Sequence, residues 1–231
     1  MITRPSPNFG PRPDGVPIDM IVLHYTGMPS AKAALERLCD PEAQVSAHYL
    51  IDEDGTIHQL VADEQRAWHA GLSYWRGERD VNSRSLGIEL VNPGHEFGYR
   101  PFPEAQIAAL RALLQALMGR HGIAARNLVS HADVAPARKQ DPGELFPWEA
   151  LAREGLGLWP APGTASGTAS AMDESATRAL LTAYGYDPDC ALEQVLAAFQ
   201  RHFRPARVDG IADGETLGIL ARLSAACGYP I

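Results

Sequence analysis

The sequence predicts an α/β fold, a mixed central β-sheet flanked by helices, joined to a small C-terminal three-helix bundle. Three observations predict it. Strand-type runs alternate with helical periodicity through residues 1–159. Residues 160–172 then carry no charge and are almost all Pro, Gly, Ala, Ser and Thr, a composition that buries little and reads as a linker. Beyond it, residues 173–231 show helical spacing only.

The elements follow in order. Met20–Tyr25 is an apolar run closed by a turn at Thr26-Gly27, which reads as a buried strand. Ser30 offers an N-cap for a helix reaching about Cys39, stopped before Pro41. Residues 48–51 and 57–60 flank Asp54-Gly55, the pattern of a β-hairpin. Residues 86–91 alternate like a strand, with Glu89 as the one charge. Residues 104–118 put Ile107, Leu110, Leu114, Leu117 and Met118 on one helical face, and Gly119 or Gly122 can end that helix. Leu128–Ser130 reads as a short strand. In the tail, residues 176–184, 192–202 and 216–223 have helical spacing, with turn chemistry at 208–214. Phe199 and Phe203, four apart, read as core packing.

Charge and cysteine content narrow the function. Twenty basic residues against twenty-eight acidic leave a net charge of −8, and both parts of the chain are mildly acidic. That excludes a general nucleic-acid binder. No run of about 18 apolar residues occurs, so no ordinary membrane span is expected. Cys39, Cys190 and Cys227 are odd in number and lack metal-type spacing, which argues against a disulfide scaffold or a cysteine zinc cage. The first ten residues hold one basic side chain and no apolar stretch, unlike a secretory signal. The expectation is a cytoplasmic monomer, periplasmic if a leader was removed.

Candidate chemistry centres on the histidines. His24 ends the first buried strand, and His131 follows Leu128–Ser130 in the same way. Asp141 comes ten residues after His131, before a Pro142-Gly143 turn that can aim its carboxylate back. Two histidines and a carboxylate are the ligand set of an open catalytic zinc site. A strand-end histidine is, however, more often a hydrogen-bonded core residue, and no HExxH or CxxC pattern is present. Glu89, if buried, has a raised pKa suited to a general base; on a solvated face it is an ordinary strand glutamate. Lys139 offers a fixed cation near Asp141, or a plain surface lysine. Trp68-His69-Ala70-Gly71 suits a sugar- or peptide-binding wall, or a tryptophan anchoring a loop. His48 and His58 read as cross-strand neighbours; His95, His121 and His202 receive no role.

Six ordered segments carry a resemblance: Val22-Leu23-His24-Tyr25-Thr26, residues 46–55, Trp68-His69-Ala70-Gly71, residues 85–90, residues 130–134 and residues 138–143. Together, over roughly residues 16–155, they resemble the zinc-dependent N-acetylmuramoyl-L-alanine amidases of bacteria, which share a fold with peptidoglycan recognition proteins. The resemblance implies one zinc ion per chain on His24, His131 and Asp141. It implies Glu89 as the catalytic glutamate and Lys139 as the oxyanion-stabilising lysine. His69 and Asn82 fall where the family contacts the muramyl peptide, and Trp68 lies beside them. Phage lysozyme-type relatives have a tyrosine before the hairpin histidine; Ala47 stands here, which leaves the base role to Glu89. Residues 173–227 look like a three-helix peptidoglycan-binding domain.

The implied partner is peptidoglycan or a soluble muropeptide. The implied reaction is hydrolysis of the bond between the muramic lactyl group and L-alanine. The alternatives are a non-catalytic recognition module, which has no need of the full ligand set plus Glu89, and a zinc hydrolase acting on another N-acyl amino acid.

Overall fold

The computed structural model describes residues 1–161, 163 and 172–229, so most of the linker expected at 160–172 lies outside the described residues. A six-stranded sheet runs in the order β1 (Ile2–Thr3), β5 (Ile57–Gln59), β4 (Tyr49–Ile51), β7 (Ser85–Leu90), β3 (Met20–Tyr25), β8 (Leu128–Ser130). Only β4 and β5, the expected hairpin, pair antiparallel; the other neighbours are parallel. A second ribbon joins β2 (Phe9–Pro11) to β6 (Gln65–Ala67). The helices are α1 (Ala31–Leu38), α2 (Val81–Arg84), α3 (Gly94–Phe97), α4 (Glu104–His121), α5 (His131–Val134), α6 (Trp148–Ala152), α7 (Glu174–Tyr184), α8 (Leu192–Phe203) and α9 (Gly214–Ala226). Ser30 caps α1 through the Ala33 N–H, and Gly122, not Gly119, ends α4.

Strand alternation decides what each face meets. On one face Ile21, Leu23, Leu86, Ile88 and Leu90 join Ile107, Leu110, Leu114 and Leu117 of α4 in one core. On the other face, Met20, Val22 and Val129 pack with Leu180, Leu181, Phe199, Phe203 and Leu220 of the tail. The tail is therefore not set apart: its helices share one core with the sheet. Leu50 packs separately with Leu35 and Leu38 of α1. Phe199 and Phe203 are buried in the tail core, as expected.

Several short elements escape a reading of periodicity. β1, β2, β6, α2, α3 and α6 span two to five residues each, too few for a repeat to show. One expectation is corrected: His58 lies opposite Leu50, not His48. His48 instead turns inward, where its Nδ1 accepts from the Gly87 N–H at 2.9 Å.

Candidate metal centre

Parallel register brings the two strand-end histidines together. Leu23 of β3 pairs with Ser130 of β8, so His24 and His131 are the next residues along adjacent strands. Such carboxyl ends of parallel strands are where open α/β sheets hold ligands. Asp141 arrives on the following loop, whose carbonyl accepts from the Ala132 N–H at 3.0 Å. The loop turns at Gly143, with φ +87°, where a Cβ would lie 2.3 Å from the Tyr99 hydroxyl. His24 Nδ1 and His131 Nδ1 are 2.9 Å apart, and they lie 3.1 and 3.0 Å from Asp141 Oδ2. All three side chains are buried.

The hydrogen bonds behind this triangle fix which nitrogens carry protons. The Ala70 carbonyl, 3.2 Å from His131 Nε2, can only accept and lies nearer than the Arg138 guanidinium at 3.4 Å, which favours the proton on Nε2 and leaves Nδ1 as a lone pair. The Ser85 hydroxyl donates to the Val81 carbonyl at 2.6 Å, and so accepts from His69 Nε2 at 3.2 Å. His69 Nδ1 is then an acceptor, filled by His24 Nε2–H at 3.1 Å. His24 Nδ1 is left as a second lone pair. Two imidazole lone pairs and a carboxylate oxygen thus face one another with no proton among them, an arrangement that a bound cation satisfies. Their 2.9–3.1 Å separations are slightly under the ~3.3 Å that donors take around a tetrahedral ion with ~2.0 Å bonds. Among the described residues this is the one such His/Asp group.

Electrostatics agree with the geometry. Burial, and then the neighbouring His131, push His24 down to about 4, so it is neutral at pH 7.

Glu89 stands beside His24 on the next strand. The two pair in the β3–β7 register, so their side chains leave the same face. Glu89 Oε2 is buried with no hydrogen-bond partner. Burial, and then the charge of Asp141, raise its pKa well above the ordinary value, while Lys139 works against that rise. Gly87, two residues earlier on that face, lies under the His69 ring; a Cβ there would come within 2.4 Å of it.

A cavity of about 580 Å³ opens over this group. Lys139, exposed, and Trp68, half-buried, stand on its wall. His69 also reaches the cavity, but its two ring nitrogens are engaged by His24 and Ser85. Asn82 is buried behind it; its Oδ1 accepts from the backbone N–H groups of His69 at 3.1 Å and Ala70 at 2.8 Å. The structure thus places Asn82 under the 69–70 loop and off the cavity wall, because that loop needs its orphaned N–H groups satisfied. Arg138 does similar work, donating to the carbonyls of Leu72 and Ala70. Sequence reasoning passed over His95 and Glu96, which also line the cavity. His95 is held between Tyr25 (2.9 Å) and Glu144 (3.2 Å). Its only sequence signal was a histidine after Pro93-Gly94, a loop-forming pair.

Comparison with known proteins decides the family. Residues 14–144 match the N-acetylmuramoyl-L-alanine amidase family. The N-acetylmuramoyl-L-alanine amidase AmiD of Escherichia coli K12 is 41% identical, over 89% of this chain and 82% of that one. The chain belongs to the N-acetylmuramoyl-L-alanine amidase family. A structure of AmiD in complex with the substrate anhydro-N-acetylmuramic acid-L-Ala-D-γ-Glu-L-Lys superposes with a TM-score of 0.84 at 38% identity, covering 95% of this chain and 94% of that one. AmpDh3 of Pseudomonas aeruginosa superposes with a TM-score of 0.85 at 32% identity, covering 98% and 96%. These likenesses take in the helical tail. An AmpD structure, at TM-score 0.60 and 33% identity, covers only 68% of this chain, though 94% of its own. The amidase part is thus the shared piece, and the tail belongs to a subset of the family. No helix among the described residues is long and apolar enough to cross a membrane.

Proposed function

We propose that His24, His131 and Asp141 hold one zinc ion, and that Glu89 and Lys139 use it to hydrolyse the amide between the lactyl group of N-acetylmuramic acid and L-alanine of a stem peptide. The observation that carries the reading is the meeting of three unprotonated donors beside a carboxylate whose Oε2 is buried and unpartnered. When bound, zinc supplies Lewis acidity at the floor of the cavity.

The chain's own residues do the rest. Glu89, its pKa raised by burial and by Asp141, takes a proton from the attacking water and returns it to the leaving amine. Lys139, on the wall, meets the negative charge that develops on the carbonyl oxygen. His69 holds His24 in the tautomer that presents Nδ1. Trp68 and His95, which both line the cavity, offer surfaces for sugar and peptide. The tail, as a peptidoglycan-binding unit, presents wall-derived substrate.

The reaction is tested with an anhydromuramyl tripeptide, the class of ligand in the AmiD complex. Glu89→Gln is expected to retain one zinc per chain by elemental analysis while turnover, followed by chromatography of released peptide, falls ~10²–10⁴-fold. Near-normal cleavage by that variant removes Glu89 from the base role; a wild type without zinc removes the metal assignment.

A further inference from the structure

We propose that the helical tail is part of the metal centre: Tyr186 and His202 grip the Asp133 carboxylate and thereby fix the short helix that presents His131. The proposal rests on the zinc reading above.

α5 has four residues, too few to be held by its own hydrogen-bond ladder. A capping box starts it. Ser130 Oγ accepts from the Asp133 N–H at 2.8 Å, and Asp133 Oδ2 accepts from the Ser130 N–H at 2.8 Å. The same carboxylate then takes two more bonds from the tail. The Tyr186 hydroxyl donates to Oδ1 at 2.5 Å, and His202 Nδ1 donates to Oδ2 at 2.7 Å. Tyr186 follows α7 and His202 lies in α8, so two separate tail segments converge on one carboxylate. Asp133, Tyr186 and His202 are 1%, 0% and 2% exposed.

Neither donor is free to follow α5 if it moves. The His202 ring lies stacked on Trp148 and Phe203, at centroid distances of 3.8 and 3.9 Å. The Tyr186 ring meets Trp75 edge-on at 5.3 Å. They therefore set the position of Asp133. α5 in turn touches two metal ligands. It carries His131, and its Ala132 N–H holds the Asp141 carbonyl. A displacement of this helix moves both donors at once.

Holding two units together needs no buried carboxylate. Desolvating one is costly, and apolar contacts join the same surfaces nearby, where Val129, Ala132 and Val134 share a core with the tail. What a fully bonded carboxylate adds is direction, which a metal ligand requires. Tyr186 and His202 are on this account positioning residues.

The test uses the full chain, stripped by a chelator and reloaded. Zinc affinity is read by competition with a chromogenic chelator, and cobalt in place of zinc reports ligand geometry by its d–d spectrum. Tyr186→Phe and His202→Leu, which act one step further out than a direct partner of a ligand, are each expected to weaken zinc binding by no more than about ten-fold and to alter the cobalt spectrum. His202→Asn, whose amide nitrogen reaches the place of Nδ1, is expected to recover most of that affinity. Arg79→Ala serves as control: it cuts exposed ion pairs to Asp187 and Asp189 across the same boundary, and is expected to leave zinc affinity and spectrum unchanged.

Wild-type zinc affinity and an unaltered cobalt spectrum in folded Tyr186→Phe and His202→Leu overturn the proposal alone. A wild-type chain that takes up no zinc overturns the zinc reading with it. Tyr186→Phe removes a single oxygen, so it decides the matter if His202→Leu does not fold.

Discussion

On one face of the sheet, Ile21, Leu23, Ile88 and Leu90 meet α4 through apolar side chains. On the other, Met20 and Val22 are equally apolar, but the next residue on that face is His24, with Glu89 beside it. One sheet thus carries an anchoring face and a face whose strand ends are polar and partly unsatisfied. An unpartnered carboxylate costs stability wherever it is buried. The α4 face supplies apolar burial that offsets such a cost, and the tail helices close over the rest. The difference teaches that stability and chemistry here are divided by strand parity, one residue apart along the same strands.

That division can be tested by perturbing each face in turn. The largest expected effect falls on the chemical face. Lys139→Met is predicted to lower kcat ~10²–10³-fold, with zinc content and melting temperature held. Equal losses of kcat and melting temperature would erase the division, and thermal melts beside turnover assays measure both. Next, Leu110→Ala on α4 is predicted to cost about 3 kcal/mol of unfolding free energy in a denaturant titration, while the zinc affinity of the folded fraction stays at the wild-type value.

A smaller effect sharpens the comparison with a polar group on the anchoring side. Asp63, which is buried, accepts from the Tyr49 hydroxyl at 2.5 Å and pairs with Arg120 and His121 at the end of α4. Burial alone would raise its pKa; the bonds from Tyr49, His121 and Arg120 outweigh burial and lower it. A lowered folded pKa gives stability that is fully present above the unfolded value, near pH 4, and lost as pH falls through the folded value. Asp63→Asn is therefore predicted to cost about 2 kcal/mol at pH 7, with the gap to wild type closing as the solution is acidified below about pH 4. A gap that persists in acid would show that the side chain's shape matters rather than its charge. Turnover per folded molecule is expected to be unaffected at neutral pH, because Asp63 belongs to the anchoring side.

Much of this arrangement was legible in the chain. The strands that carry His24 and Glu89, and the one that leads into His131, are apolar enough to announce themselves, and each of those three residues breaks or follows such a run. The turn residues Pro142 and Gly143 marked Asp141. The bonding of Asn82 was not legible, because its segment is a four-residue helix, which offers no period, and its partners are backbone N–H groups that no side-chain pattern reveals. His202 was passed over as a helix-end histidine. It follows Phe199 by three residues on the buried stripe of α8, and that spacing was its one signal.

By itself, the sequence determined the longer elements, the order of the motifs and the residues able to bind a metal, because propensity, capping and apolar period are local properties. Only the tertiary structure decided the rest. Strand register set His24 against both His131 and Glu89, hydrogen-bond direction assigned the tautomers, and the docking of the tail brought Tyr186 and His202 onto Asp133. Those relations join residues dozens of positions apart, and contact at that range follows from how whole faces pack, which no short window of sequence contains.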